Sequence, residues 1–378
     1  MKSISTKSLF FALPVAALLV ATSCKKDTIE PQDETPAPSG PSYSIPTTYN
    51  FSNVSYTTST TRIAMLAEMT GYIRTTHTTT QTTQPTLNAQ KLKDMYANAA
   101  SQFTTTGLSA SGIQLKDQTS NVASLQTILE ASYDDAATTS TFAAATPTTQ
   151  SASSGVAGKL ISPSRAILVD ANGLEYKELT EKGLMGAVLY YQATTILTNI
   201  ATYDNTTLVG GTTAQEKAWD EAFGYFGVPI DFPTNLTGLK NWGSYCNSVN
   251  TAIGSNATMM NAFLKGRAAI TNKDNTARDE ARTTIINTWE RFAAAKCIAY
   301  MKGAKSNFAQ DADRHHNLSE GIGFINAFAY NPSKTITNAQ IAQLQGYFST
   351  NLYNVTVADM DNVISTLATI FNLDPATL

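Results

Sequence analysis

Apolar residues recur at helical spacing through most of the chain. In TRIAMLAEMTGYIR (61–74), Ile63, Leu66, Met69, Tyr72 and Ile73 fall on one stripe, the pattern of a helix with one buried face. Over 276–307 the same pattern runs longer: Ile286, Trp289, Ala293, Cys297, Tyr300 and Ala304 share a face, and Arg282, Glu290 and Lys305 lie off it. Further helices fit at about 88–100, 122–134, 176–202, 214–226, 258–270, 313–328, 337–349 and 356–371. Clean strand alternation is nearly absent, and Gly- and Pro-containing loops such as GVPIDFPTNLTG (227–238) join the helical stretches. The pattern predicts an all-α helical bundle.

The uncharged run from Gly183 to Tyr203 is long enough to suggest a membrane span. It also holds Gln192, Thr194, Thr195, Thr198 and Asn199, each costly in hydrocarbon but easily satisfied among other helices, so a central core helix is expected. Two low-complexity stretches, 76–86 and 137–158, are rich in Thr, Ser, Ala and Gly without apolar periodicity and are expected to be surface loops. His77 falls in the first, and no ligand role is assigned to it on that basis. Residues 25–50 are rich in Pro, Ser and acid and form an expected flexible tether ahead of a helical domain over 51–373.

The N-terminus carries two lysines, an uncharged apolar run from Ser8 to Val20, and small residues closing on Cys24. That pattern predicts a signal peptide over 1–23 and lipidation of Cys24, which would hold the chain at an outer membrane. The formal charge of 26 − 29 = −3 becomes 24 − 29 = −5 once Lys2 and Lys7 are removed with the leader. A mildly acidic chain without a basic run excludes nucleic acid as the expected partner. Cys246 and Cys297 remain; they either pair or stay as buried free thiols.

One pattern recurs 99 residues apart. Residues 219–226 (WDEAFGYF) align with 318–325 (LSEGIGFI): apolar, Asp or Ser, Glu, small, apolar, Gly, aromatic, apolar. A repeat that long suggests two pseudo-symmetric helical lobes. Glu221 and Glu320 occupy matching positions among apolar neighbours, and a buried carboxylate needs a cation or hydrogen-bond donors. His316 precedes Glu320 by four residues, so on a helix both point to one face, where they make either two ligands of a metal or an intrahelical ion pair. The position matching His316 in the first copy is Lys217, so the histidine is not shared. Candidate metal ligands are therefore His316 and Glu320, with Glu221 and Asp220 second and Arg314 balancing charge.

The blocks IPTTYNFSNVSY, TRIAMLAEM, QKLKDMYAN, EKGLMGAVLYYQA, WDEAFGYFGVPIDFP, FLKGRAAITNKDNTARDEA and LSEGIGFINAF resemble a Bacteroidetes lipoprotein family, a domain of unknown function, over nearly everything after residue 43. The start CKKDTIEPQDE resembles the surface-exported lipoproteins of that phylum, and Asp27, Thr28 and Ile29 resemble its O-glycosylation sequon, with Thr28 the acceptor. The chain is similar, more distantly, to imelysin-type envelope proteins, helical two-lobe proteins linked to iron or haem uptake. Their Gly-x-His-x-x-Glu motif sets His and Glu three apart, whereas His316 and Glu320 are four apart and lack the preceding Gly.

The chain has no H-E-x-x-H, G-x-S-x-G, Walker or dinucleotide motif, which lowers the expectation of an enzyme. The expected function is non-enzymatic binding of a metal, iron or another divalent ion, or haem, in nutrient acquisition, with an outer-membrane receptor as a further partner. The alternative is a glycan- or peptide-binding component of an uptake system. It would need an exposed aromatic platform from Tyr190, Tyr191, Trp242 and Tyr245, residues whose other role would be core packing.

Overall fold

The computed structural model describes residues 42–78, 85–120, 124–145 and 151–378; the leader, Cys24 and Thr28 lie outside the described residues. Helices α1 (Thr57–Arg74), α2 (Ala89–Ala97) and α3 (Leu125–Ala145) come first, then a hairpin of β1 (Gly158–Ile161) and β2 (Ala166–Val169). They are followed by α4 (Tyr176–Leu184), a π-helical turn (Met185–Tyr190), α5 (Tyr191–Thr198), α6 (Ala214–Phe226), α7 (Asn241–Ser248), α8 (Asn250–Ile253) and α9 (Ser255–Thr271). The chain closes with α10 (Asn275–Ser306), α11 (Asp311–Phe328), α12 (Asn338–Tyr347) and α13 (Val357–Phe371). The described chain is an all-α helical bundle carrying one two-stranded sheet.

Helix α10 is the axis of the bundle, with 32 residues and a length near 48 Å at about 1.5 Å per residue. It packs on α9, α11 and α13, so it is buried on more than the single stripe its apolar spacing shows. Glu290, off that stripe in sequence, is fully buried; its carboxylate accepts hydrogen bonds from Thr335 N (2.9 Å) and Asn331 Nδ2 (3.1 Å). Trp289 of this helix, Trp219 of α6 and Trp242 of α7 are all inaccessible to solvent. Two of their indole N–H groups donate to backbone carbonyls, Trp219 to Phe263 and Trp242 to Met185, both at 3.0 Å. Residues Tyr43–Leu378 form one compact unit, and a single continuous hydrophobic core holds both copies of the repeat.

The uncharged run packs into this core as the end of α4, the π-turn and α5. Of its polar side chains, Thr194 Oγ1 donates to Tyr190 O (2.8 Å) and Gln192 Nε2 to Gln118 O (2.8 Å), while Thr195 Oγ1 is buried without a hydrogen-bond partner. Among the described residues no helix is long and apolar enough to cross a membrane. Tyr190 and Trp242 are core residues that pack on each other and on Trp289, while Tyr191 and Tyr245 are half-buried.

The structure differs from the sequence pattern at 137–158. Helix α3 continues through 137–145, because alanine favours helix and the hydroxyls bond back along it, as Thr138 Oγ1 does to Asp134 O (3.0 Å). Ser140 Oγ also accepts the Leu87 N–H at 2.8 Å, so this stretch is packed. The hairpin was not legible either: its strands have four residues each, and Ala166–Val169 is buried throughout and so shows no alternation. Its register pairs Gly158 with Val169 and Ile161 with Ala166. Cys246 and Cys297 are free and buried. Burial pushes the Cys246 thiol up to about 12 and the Cys297 thiol upward as well, so neither is reactive.

The repeat glycines mark two close helix contacts. A Cβ on Gly224 would lie 2.6 Å from Tyr56 Cβ and 2.1 Å from Ser59 Oγ at the start of α1. A Cβ on Gly323 would lie 2.3 Å from Lys182 Cβ on α4. Gly323→Ala should therefore force α11 and α4 apart and cost about 1–3 kcal/mol. Gly346→Ala, on the exposed face of α12 with open space around it, should be neutral or stabilising. Thermal unfolding of the two variants checks this; equal midpoints would refute the close contact.

Candidate metal centre

Five charged side chains fall within residues 175–182 (EYKELTEK), at the start of α4. Glu175 is the residue before the helix, and its N–H donates to Ser319 Oγ of α11 at 3.0 Å, which fixes the entry of α4 against α11. Helical spacing places Glu178 and Lys182 on one face and Lys177 beside Glu181. Lys182 Nζ lies 2.8 Å from Glu178 Oε2, 3.1 Å from Glu181 Oε1 and 3.7 Å from Glu320 Oε1. Lys177 Nζ lies 2.5 Å from Glu178 Oε1 and 2.6 Å from Glu181 Oε2.

From α11, His316 reaches into the same group. Its Nδ1 stands 2.8 Å from Glu175 Oε2 and 3.5 Å from Glu178 Oε1, and its Nε2 3.3 Å from Glu320 Oε1. Ligand atoms of Glu175, Glu178 and His316 all lie within 4.8 Å of one another. These residues and Glu320 line a polar cavity of about 620 Å³ that also takes in Arg74, His77, Arg165 and Tyr245.

Charge is nearly balanced: four carboxylates face Lys177, Lys182 and the His316 imidazole. Burial alone would lower His316, but hydrogen bonds to Glu175 and Glu320 outweigh it and raise its pKa to about 9. Burial alone would raise Glu320, but Lys182 and His316 hold it at about 2. Burial and the neighbouring Glu178 raise Glu175. Glu178, beside Lys182, and Glu181, also beside Lys182, are lowered despite burial.

His315, next in sequence to His316, points elsewhere. It is fully buried, with Nδ1 2.8 Å from Gly173 O and its ring against Tyr353, and burial pushes its pKa down to about 4. The two adjacent histidines thus divide into one packing residue and one site residue.

Of the residues singled out from sequence, His316 and Glu320 are brought together, while Asp220 and Glu221 take other partners. Asp220 accepts from Arg267 Nε, Tyr49 Oη (both 2.9 Å) and Ser55 N (3.3 Å), and Glu221 pairs with Arg62 at 3.5 Å. Arg314 does not balance the site; it pairs with Asp311 at 2.8 Å and stacks on Phe308, and Lys177 and Lys182 supply the balancing charge instead. His77, set aside because its surroundings are threonine-rich, lines the cavity with its Nδ1 3.8 Å from Glu175 Oε1.

The repeat explains where the matching residues go. Asp220 and Ser319 each accept a backbone N–H at the entry to a partner helix, Ser55 before α1 and Glu175 before α4. Glu221 and Glu320 each meet a cation on that helix, Arg62 and Lys182. Both partner pairs are offset by the same interval, 175 − 55 = 120 and 182 − 62 = 120, while the repeat itself is offset by 99. The unit is therefore a helix pair, α1 with α6 and α4 with α11. At the same offsets Glu175, Glu178 and His316 correspond to Ser55, Thr58 and Lys217, so only the second pair holds the cluster.

A family model described as "Domain of unknown function (DUF4856)" matches residues 46–373. The chain belongs to this family. Its match takes in α1 through α13, including every residue of the cavity. No curated protein and no solved structure matches the chain.

Proposed function

We propose that this member of the DUF4856 family is a lipid-anchored envelope protein that binds a divalent metal ion between α4 and α11. The observation that carries the proposal is the convergence of Glu175, Glu178 and His316 to within 4.8 Å at a cavity open to solvent. Two carboxylates and one imidazole are a donor set that suits first-row divalent ions. With His316 neutral, four carboxylates face Lys177, Lys182 and Arg74, whose Nη2 lies 3.9 Å from Glu181 Oε2, which leaves a net −1 for an ion to offset. Glu320, whose Oε1 lies 3.3 Å from His316 Nε2, borders the group and adds a further carboxylate beside an ion there. An ion and the His316 proton would compete for one lone pair. Anchoring through Cys24 rests on the sequence pattern and an iron-linked role on the resemblance to imelysin-type proteins, and both belong to the same proposal.

Calorimetric titration of the full-length, chelator-treated chain with Mn²⁺, Fe²⁺ and Zn²⁺ tests the reading. One ion per chain should bind, and His316→Ala should weaken binding by about 100-fold or more, since even residues that only orient ligands cost 10–100-fold. Absence of binding by the unaltered chain would leave the cluster as an ion-pair network joining two helices.

A further inference from the structure

We infer that His77 is a further ligand of this centre, so that two imidazoles and the carboxylates select a transition metal over Mg²⁺ or Ca²⁺. The inference deepens the metal-binding reading above and rests on it. Glu175 stands between two histidines: Oε2 is 2.8 Å from His316 Nδ1, and Oε1 is 3.8 Å from His77 Nδ1. That second separation is beyond hydrogen-bond reach. Two donors on one ion sit roughly 3–3.5 Å apart when each bond is about 2.0–2.2 Å; His77 stands just outside the group of Glu175, Glu178 and His316, so its ring must turn toward that group for Nδ1 to reach ligand range.

The other ring nitrogen, Nε2, is buried and has no hydrogen-bond partner. An imidazole whose side chain is 11% exposed, with neither nitrogen hydrogen-bonded, is costly unless something fills the gap. Lys177 and, from the end of α1, Arg74 line the cavity beside it.

His77 follows α1, whereas Glu175 caps and Glu178 lies on α4 and His316 belongs to α11. The end of the first helix pair thus reaches the cavity of the second, and an ion held by all four would tie three segments together. Hard ions such as Mg²⁺ and Ca²⁺ take oxygen donors, and two imidazoles in one set turn preference toward Zn²⁺, Fe²⁺ or Co²⁺.

The test titrates Zn²⁺ and Mg²⁺ into the full-length chain and its His77→Ala and His77→Phe variants, with Co²⁺ absorption as a readout of the donor set. The phenyl ring keeps the shape and removes both nitrogens, so it covers the case in which alanine fails to fold. The unaltered chain should prefer Zn²⁺ to Mg²⁺. The variants should lose Zn²⁺ affinity by at least about tenfold with a changed Co²⁺ spectrum, and Mg²⁺ affinity should hardly move. Zn²⁺ affinity within twofold of the unaltered chain and an unchanged Co²⁺ spectrum would overturn the role of His77 and leave the metal centre standing. No Zn²⁺ or Co²⁺ binding by the unaltered chain would overturn both.

Discussion

Stability of the metal-free protein should peak near pH 6.5 and fall on both sides, because the chain's three histidines are shifted in opposite directions. Burial holds His77 at about 3 and His315 at about 4, both below the ordinary value of 6.5. As pH falls below 6.5 the unfolded chain takes up two protons that the folded chain refuses, so stability drops. Each histidine contributes up to about 1.4 kcal/mol per pH unit, or roughly 4 kcal/mol together by pH 5. Glu175, Asp220 and Glu290, all raised by burial, protonate first in the folded state and make this acid limb shallower.

His316 works the other way. Its pKa of about 9 means its contribution is complete below 6.5 and lost as pH climbs through 9, about 3 kcal/mol in all. The groups that face it are Glu175, Glu178, Lys177 and Lys182 from α4, Glu320 from its own helix, and His77. Urea midpoints at pH 5, 6.5 and 8 in chelator would show the maximum. His316→Gln should flatten the alkaline limb only; a flat profile for the unaltered chain would refute the assignment.

Lys182→Met should destabilise the protein by about 3–5 kcal/mol, the cost of removing one partner from a buried charge cluster. The lysine is 1% exposed, and its ammonium lies against Glu178, Glu181 and Glu320. Methionine fills much the same volume, so the loss comes from carboxylates left without their cation, Glu320 above all. Lys177 still serves Glu178 and Glu181, which limits the damage there. Adding Glu320→Gln to Lys182→Met should restore part of the loss. Denaturant unfolding with an unchanged m-value reads both effects, and a single-variant loss under 1 kcal/mol would mean that water reaches these carboxylates freely.

Most helices were legible because their apolar residues repeat with the helical period, and α10, with Ile286, Trp289, Ala293 and Cys297, shows why. The pattern failed where composition misled. Thr138, Ser140 and Thr141 look like loop residues until their hydroxyls are seen bonding back along α3. Half of the site was legible: the four-residue spacing put His316 and Glu320 on one face. The remainder came from residues distant in sequence, and only tertiary packing sets Glu175 and Glu178 against His316. A signal was present in EYKELTEK, a dense alternation of charge opening a helix that then runs uncharged into the core. Asp220 and Glu221 show the reverse error. The repeat placed them correctly as structural equivalents of Ser319 and Glu320, but equivalence of fold carried no equivalence of chemistry.

That last point gives the molecule an internal blank. The α1–α6 pair keeps the capped entry, the cation facing a glutamate and the glycine contact, and has Ser55, Thr58 and Lys217 where α4–α11 has Glu175, Glu178 and His316. Ion binding can thus be tallied against a sister scaffold in the same polypeptide, at the same concentration and pH. The two helix pairs share one scaffold and differ at these three positions, so the packing of the bundle does not itself require the charged set.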